Sequence, residues 1–276
     1  GLAYGINNAN GKIPENEIFK ILDFAYQNKI TILDTASSYG NSEKQIGKYL
    51  KKNPERSFKI IIKISNTKLS LEEQLIKSLG NLNTKKADAI LFHSLELYQQ
   101  FESELPSFIK LYKGKYFNQL GISVYGNDQI NSVIKDRRIE RVQLPFNMLD
   151  NSNIRKKIIL RLKSEGKNID ARSVFLQGLF FKPLEKLPKN LMTLKKYLHF
   201  LHKLSEESSY KIEGLALNYV ISKSYIDRLI IGIDSLKHLK TNIEKINEGI
   251  SDEVINRIDS IQIKKTETLN PNSWTK

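Results

Sequence analysis

The stretch from Ile30 to Glu43, ITILDTASSYGNSE, decides how the rest of the chain is interpreted. Ile30 to Leu33 is a short run of apolar and β-branched residues, which predicts a buried strand that ends at Asp34. The small and polar residues from Thr35 to Asn41 predict a loop, and Ser42 with Glu43 then opens a helix. Asp34 and Tyr39 therefore belong to the carboxyl end of a strand and its following loop, where α/β folds bind ligands.

Strand-like and helix-like segments alternate along the whole chain. Helical stretches with apolar residues at three- and four-residue spacing separate short apolar runs. This alternation predicts a parallel sheet with helices outside it, and a length of 276 residues suits a single (β/α)8 barrel, which typically takes about 250. We expect one domain over residues 1–276. The predicted strands are 30–33, 58–64, 87–92, 119–122, 141–144, 168–171 and 228–231.

The number of predicted strands is one short of a closed barrel, which needs eight. A barrel lacking one strand would leave two exposed strand edges, which promote aggregation. We therefore expect the first barrel strand to lie upstream of Gly1 and to be missing from this sequence.

Composition narrows the class of protein. Hydrophobic residues make up 40% of the chain and charged residues 27%, as in ordinary globular proteins. No apolar run approaches the roughly 18 residues of a membrane span, and no signal-peptide pattern opens the chain. The chain contains no Cys, which excludes disulfides and thiolate catalysis and favours a cytoplasmic enzyme that is not in a membrane.

The net charge of +14 raises the alternative of a nucleic-acid-binding protein, because basic surfaces attract phosphate backbones. The lysines are spread over the whole chain and form no compact basic arm with interleaved aromatic residues, so we predict a solvated surface and no nucleic-acid partner. His199 and His202 stand three residues apart without a third ligand at suitable spacing, so we predict no metal site.

Two further residues accompany Asp34 and Tyr39. Lys63 is charged within an otherwise apolar strand, and His93 ends the next strand, ADAILFH. Each alone has a plain structural explanation, as a lysine reaching toward solvent or a hydrogen-bonded histidine. Adjacent parallel strands lie about 4.8 Å apart, so residues at the same ends of three successive strands converge. Asp34, Tyr39, Lys63 and His93 are therefore predicted to form one catalytic cluster.

The chemistry of this cluster points to proton transfer. A lysine ammonium beside a phenol stabilises the phenolate, and a carboxylate beside the lysine offsets the cost of burying its charge. Tyr39 could then protonate an alkoxide forming from a carbonyl, while His93 orients the substrate oxygen. None of these side chains transfers a hydride, so a redox reaction needs a cofactor.

The stretch around Tyr39 closely resembles the D-T-A-x-x-Y-G-x-S-E signature of the aldo-keto reductases, and every fixed position matches. The opening GLAYG also resembles the tail of the G-T-x-x-F-G segment that follows the family's first barrel strand. The resemblance extends over nearly the whole chain and implies the catalytic tetrad Asp34, Tyr39, Lys63 and His93. It also implies hydride transfer from NADPH or NADH to a carbonyl.

The resemblance further implies a set of cofactor-binding residues, in which Asp34 is included. Ser123 and Gln143 match residues near the nicotinamide carboxamide, although Val124 stands where many members have Asn. Arg172 takes the place of the aromatic residue that stacks on the nicotinamide, and a planar guanidinium can stack as well. The residues predicted to lie along the pyrophosphate are Ser173, Gln177 and Gly178.

Near the end of the chain, IIGIDSLKHLKTN resembles the family segment that holds the adenosine end of the cofactor. Asp234 stands where many members have a basic or neutral residue that receives the 2′-phosphate of NADP, whereas a carboxylate could accept hydrogen bonds from a free ribose diol. Lys237 and Lys240 are close in the sequence and could attract the 2′-phosphate instead. NADP is therefore predicted, because the family usually binds it, and NAD is the alternative. The predicted adenosine-end residues are Gly232, Asp234, Ser235, Leu239 and Asn242.

The sequence therefore predicts an NAD(P)H-dependent oxidoreductase that reduces a small aldehyde or ketone, with a sugar-like compound as one candidate substrate and Tyr39 as the proton donor. One alternative is a catalytically weak nicotinamide-binding module of the same fold that senses redox state or docks a partner. Another is a lyase in which Lys63 forms a Schiff base with the substrate.

Overall fold

The computed structural model describes residues 11–274, in which strands and helices alternate. The predicted parallel α/β alternation is confirmed, with a strand at each of the seven predicted places in this range. The strands are β1 (Ile32–Ala36), β2 (Lys59–Ile64), β3 (Ala87–Phe92), β4 (Phe117–Ser123), β5 (Arg141–Pro145), β6 (Asn168–Arg172) and β7 (Arg228–Leu229).

The helices lie before, between and after these strands. They are α1 (Glu15–Gln27), α2 (Ser42–Lys52), α3 (Leu71–Asn81), α4 (Leu95–Gln100), α5 (Leu105–Tyr112), α6 (Asn127–Val133), α7 (Ser152–Ser164), α8 (Lys195–Ser208), α9 (Ile212–Ile221), α10 (Leu236–Ile246) and α11 (Asp252–Asp259). Short 3-10 segments cover Leu176–Phe181, Leu184–Lys186, Lys189–Leu194, Thr266–Leu269 and Pro271–Ser273.

The chain divides into two compact units, each assembled from three stretches of sequence. The described part of the first unit comprises residues 11–124, 136–142 and 232–240. Its strands β1 to β4 are parallel and pair in chain order. The β-branched run in β2 has its isoleucines almost fully buried, as expected for a strand covered on both faces.

The second unit comprises residues 125–135, 143–231 and 241–274 of the described chain. In it β6 and β7 are parallel, with Asp170 opposite Arg228 and Ala171 opposite Leu229. Phe146, which follows β5, stacks on Tyr219 of α9 with ring centroids 5.7 Å apart and planes 3° from parallel. This buried aromatic pair is part of the unit's apolar core.

Several predicted boundaries are wrong. β1 runs two residues beyond Asp34, because Thr35 and Ala36 still pair in register with Ile62 and Lys63, so Asp34 lies inside the strand. The predicted last strand, 228–231, is reduced to Arg228–Leu229.

The stretch between β3 and β4 contains two short helices, α4 and α5. Pro106 lies in the first turn of α5, where a missing N–H costs nothing. The 3-10 segment Lys189–Leu194 leads directly into α8, Lys195–Ser208.

Two further predictions concern residues outside the described range. The GLAYG segment at residues 1–5 lies outside it, as does any strand upstream of Gly1.

Among residues 11–274, no helix combines the length and the apolar character needed to cross a membrane. The same residues contain no group of three or more His, Asp or Glu side chains placed to hold a metal ion.

Candidate active site

Strand geometry brings the predicted catalytic residues together within the first unit. Side chains two residues apart on a strand point to the same face of the sheet. Ile61, Ala89 and Leu91 form a buried apolar cluster, with Ile32 packed against it. Asp34, Lys63 and His93 come two residues after Ile32, Ile61 and Leu91, so they project from the same face, one step nearer the carboxyl ends of the strands.

Lys63 is the centre of the site. Its side chain is 3% exposed and that of Asp34 is 10% exposed. The Lys63 Nζ donates a hydrogen bond to Asp34 Oδ1 within an ion pair, and a second to Tyr39 Oη at 3.2 Å. One buried ammonium thus bridges a carboxylate and a phenol.

The charge of Lys63 survives its burial. Burial alone would lower the pKa of a lysine, because it disfavours the charged form. Here the attraction of Asp34 and Tyr39 and their hydrogen bonds outweigh that effect, and the pKa of Lys63 is raised above its ordinary value. Lys63 is therefore a cation at neutral pH.

His93 lies beside Tyr39. The two rings meet edge to face, with centroids 5.9 Å apart and planes at 75°. β3 ends at Phe92, one residue before the predicted end, but the His93 N–H still donates to the Ile64 carbonyl at 3.0 Å. This bond fixes the backbone of His93 beside β2.

The loop that carries Tyr39 is held by the other signature residues. Buried Thr35 and Ser42 share a hydrogen bond of 3.0 Å between their hydroxyls, which ties the two ends of the loop together. The Tyr39 N–H donates to the Ala36 carbonyl at 3.0 Å, and the Tyr39 carbonyl accepts from the Ser42 N–H at 3.1 Å. Gly40 has a φ of 58°, in the left-handed region that glycine adopts readily.

Glu43, the last signature residue, anchors the helix that follows. Its carboxylate is buried and accepts a hydrogen bond of 3.0 Å from the Asn81 amide at the end of α3. A carboxylate in the first turn of α2 also complements the helix dipole. Thr35, Ser42 and Glu43 therefore position Tyr39 and need not touch a substrate.

Arg172, predicted to lie against the nicotinamide, is in the second unit. Its guanidinium carbon lies 4.0 Å from the centroid of the Tyr125 ring, and its Nη1 donates to Ser173 Oγ at 3.2 Å. A guanidinium over an aromatic face is held by cation–π attraction. Tyr125, which the sequence did not assign to the site, therefore orients Arg172.

A buried ion pair supports Tyr125 in turn. Arg155 makes a two-pronged contact with Asp150 at 2.6 and 2.7 Å. The same guanidinium donates to the Tyr125 carbonyl at 2.6 Å and to Asn127 Oδ1 at 2.7 Å. Asp150 and Arg155 are almost fully buried, so this network fixes the backbone that carries Tyr125.

The segment after β6 has an unusual backbone. Ser173, Leu176, Gln177 and Gly178 have φ values of 59°, 44°, 51° and 80°. Non-glycine residues in this region cost on the order of 1–3 kcal/mol each and cluster at ligand sites. The sequence predicted Ser173, Gln177 and Gly178 as site residues, and they share this strained turn.

The remaining predicted cofactor residues fall in both units. In the first unit Ser123 is buried at the end of β4, and Leu239 is buried on α10. Gly232 and Ser235 precede α10, where Ser235 Oγ accepts from the His238 N–H at 3.2 Å. Gln143 on β5 and Asn242 on α10 are buried residues of the second unit.

Glu17 is a residue that the sequence did not bring into the site. Its Oε1 accepts a hydrogen bond of 2.8 Å from the N–H of Leu236, the first residue of α10. Asp234, two residues earlier, is paired with the His238 imidazole. Glu17 and Leu236 are 219 positions apart, so no spacing in the sequence could signal the contact.

The first unit thus combines a parallel α/β fold with a cluster of Asp34, Lys63 and Tyr39 near the carboxyl ends of its strands. Comparison with known proteins gives the family. The sequence model of the aldo/keto reductase family matches residues 2–263, nearly the whole chain. The chain therefore belongs to the aldo-keto reductase family, whose fold is the (β/α)8 barrel.

Two relatives carry the comparison further. The chain is 24% identical to an aryl-alcohol dehydrogenase from Pestalotiopsis microspora over 296 aligned residues, which cover 90% of this chain and 73% of the relative. It is 20% identical to norsolorinic acid reductase B from Dothistroma septosporum over 286 aligned residues, which cover 91% and 73%. The family and both names point to an oxidoreductase. Aldo-keto reductases generally use a nicotinamide cofactor and act on small carbonyl compounds.

Proposed function

We propose that this protein reduces an aldehyde or ketone to an alcohol with a reduced nicotinamide dinucleotide, and that Tyr39 donates the proton. The observation that carries the proposal is the buried Lys63 ammonium, which contacts both the Asp34 carboxylate and the Tyr39 hydroxyl. Family membership supports the same reaction class.

The proton step follows from this contact. As the carbonyl carbon gains a hydride, its oxygen becomes an alkoxide and takes the proton from Tyr39 Oη. The phenolate left behind lies 3.2 Å from the Lys63 Nζ, whose positive charge stabilises it. Solvent then returns a proton to Tyr39. Asp34 keeps Lys63 charged and in place, and His93, beside Tyr39, orients the substrate oxygen.

A nicotinamide cofactor supplies the hydride when it is bound. The residues proposed to hold its nicotinamide are Asp34, Ser123, Gln143 and Arg172, which offer a carboxylate, a hydroxyl, an amide and a planar cation. Their chemistry fits a carboxamide on an aromatic ring, and the Arg172 guanidinium is already held over the Tyr125 ring, 4.0 Å from its centroid. The strained turn that contains Ser173, Gln177 and Gly178 fits a pyrophosphate beside the Arg172 charge. For the adenosine end we propose Gly232, Asp234, Ser235, Leu239 and Asn242.

The proposed substrates include several classes of carbonyl compound. A small carbonyl compound is expected from the family, and a polar, sugar-like compound is one version of that proposal. Aromatic aldehydes belong in the same panel, because one relative is named for aryl alcohols. The panel therefore contains sugar aldehydes, aliphatic aldehydes, aromatic aldehydes and ketones.

The experiment compares the wild type with Tyr39→Phe. Binding of NADH and NADPH is followed by fluorescence, and turnover is followed by cofactor oxidation with each member of the panel. We expect the wild type to bind a cofactor and reduce at least one carbonyl, while Tyr39→Phe binds normally and loses a factor of about 100 or more in kcat. Ser38→Ala, at an exposed position of the same loop, is the control and should keep its activity.

Two other results would count against the proposal. Binding without turnover across the panel would favour the sensing or docking module. Failure to bind either nucleotide would remove the basis for any nicotinamide-dependent function.

A further inference from the structure

Charged side chains surround the start of α10, in the segment proposed to bind the adenosine end of the cofactor. The first N–H groups of a helix carry a partial positive charge and readily bind anions. Here the N–H of Leu236 already donates to the half-buried Glu17 carboxylate at 2.8 Å. The carboxylate of Glu17 thus takes the place that an external anion would occupy.

A second carboxylate lies at the same helix end. Asp234 is half-buried, with 29% of its side chain exposed, and it pairs with the His238 imidazole. Because His238 Nδ1 contacts Asp234, that nitrogen cannot at the same time bind a phosphate.

The nearby lysines are placed less favourably. Lys237 and Lys240 are exposed, and the Lys240 Nζ lies 5.3 Å from the centroid of the Phe24 ring. Exposed ammonium groups on flexible stems are screened by salt, whereas half-buried carboxylates are screened less. The two carboxylates are therefore held at the start of α10 by hydrogen bonds, whereas the two ammonium groups are exposed to solvent.

We propose that this protein selects NADH over NADPH, and that Glu17 and Asp234 cause the selection. The inference rests on the proposed function, in which Gly232, Asp234 and Ser235 hold the adenosine ribose. NADPH carries a 2′-phosphate with a charge of about −1.5 to −2, which two carboxylates repel. NADH carries a free 2′-hydroxyl at the same position, and that hydroxyl can donate a hydrogen bond to Asp234. The family's usual preference for NADPH would thus be reversed in this chain.

The test measures dissociation constants of the full chain for NADH and NADPH by fluorescence titration, without any substrate. We expect NADH to bind at least about 10-fold more tightly, which corresponds to about 1.4 kcal/mol. Competition by adenosine 2′,5′-bisphosphate and by 5′-ADP against bound NADH isolates the adenosine end, and 5′-ADP should compete better.

Charge-removing variants assign the cause. Glu17→Gln keeps an oxygen that can accept from Leu236, so the helix cap and the fold should survive, while the affinity for NADPH rises about 3- to 10-fold and that for NADH stays within about 2-fold. Asp234→Asn should also improve NADPH binding. Glu15→Gln is the matched control, since Glu15 lies in the same first turn of α1 but pairs with Lys48, and it should leave both constants unchanged.

The outcomes separate this inference from the proposed function. Equal binding of the two cofactors, or tighter binding of NADPH, would overturn the selection while leaving the reductase proposal intact. An unchanged preference in both variants would show that Glu17 and Asp234 are not its cause. If neither nucleotide binds, the proposed function fails, and the inference fails with it.

Discussion

At the scale of single residues, Lys63 has two tasks that can be measured apart. Its ion pair with the buried Asp34 carboxylate is expected to contribute to the stability of the fold, and its contact with the Tyr39 hydroxyl to the catalytic activity. Breaking a buried ion pair from one side costs about 3–5 kcal/mol, whereas a single neutral hydrogen bond contributes about 1 kcal/mol. Removal of Lys63 and removal of the Tyr39 hydroxyl should therefore differ in stability and agree in activity.

We predict that Lys63→Met lowers kcat by a factor of about 100 or more and lowers the free energy of unfolding by about 3 kcal/mol. Tyr39→Phe should lose similar activity but no more than about 1 kcal/mol of stability. Urea unfolding and steady-state kinetics measure the two effects. Asp34→Leu combined with Lys63→Met should recover stability without activity, and a double variant no more stable than Lys63→Met would contradict the account.

At the scale of secondary-structure elements, α2 approaches the end of α3 closely enough to exclude a side chain. A Cβ added at Gly47 of α2 would lie 2.0 Å from the Asn81 carbonyl oxygen, a distance at which the backbone must move. A Cβ added at Gly80 of α3 would meet nothing within 4 Å. The same chemical change therefore has opposite consequences at two helix positions.

We predict that Gly47→Ala destabilises the protein by about 2 kcal/mol, because the clash outweighs the better helix propensity of alanine. Gly80→Ala, its matched control, should stabilise by about 0.5–1 kcal/mol. Thermal unfolding of both variants measures the difference. Equal effects in the two variants would mean that α2 and α3 are not this close in solution.

A second prediction at this scale concerns the turn after α6. Asp136 accepts hydrogen bonds from Arg138 at 2.7 to 3.2 Å and from the Tyr98 hydroxyl of α4. Burial raises the pKa of Asp136, but these bonds outweigh it and lower that pKa to about 2. The resulting stability is present above the unfolded-state pKa of 3.8 and is lost as the pH falls from there to about 2.

Asp136→Asn should therefore cost about 2 kcal/mol at pH 7, and the difference from wild type should shrink to less than about 1 kcal/mol by pH 2.5. Unfolding in urea between pH 7 and pH 2.5 follows it. Glu165→Gln, which removes an exposed carboxylate, is the control and should change the stability at pH 7 by no more than about 0.5 kcal/mol. A cost that is constant over this range would indicate lost packing instead of a lost charge.

At the scale of the whole molecule, neither compact unit is a continuous piece of chain. Each is assembled from three stretches that alternate along the sequence, so neither can be excised by a single cut. We propose that residues 1–276 form one domain. We predict one calorimetric unfolding transition whose calorimetric and van't Hoff enthalpies agree. Saturating NADH should shift that transition upward as a whole, and two separate peaks would contradict a single domain.

How much of this molecule could be predicted from its sequence depends on the range of each interaction. The strands 58–64 and 87–92 and the cluster of Asp34, Lys63 and His93 follow from local apolar runs and their ends. The exclusion of a side chain at Gly47 depends on packing against another helix, and the contact of Glu17 with Leu236 spans 219 positions. Such contacts leave no periodic pattern, because they depend on how distant elements meet.

The boundaries that were wrong have the same origin. β1 continues through Ala36 because β2 offers hydrogen-bonding partners there, although the local sequence is rich in small residues. The 3-10 segments between 176 and 194 interrupt apolar stretches that resemble a helix start. In each case tertiary pairing overrides local preference.

The burial and charge of Lys63 have a consequence for the working life of the protein. Aldehydes condense with neutral amines, so a catalyst of carbonyl reduction is exposed to covalent damage by its own substrates. Lys63 is 3% exposed, and Asp34 keeps it protonated, so it has no lone pair with which to attack. Under the proposed function, the ion pair that prepares Tyr39 for proton transfer would also protect the active site from self-inactivation, and the lysines that slowly accumulate adducts should be those on the surface.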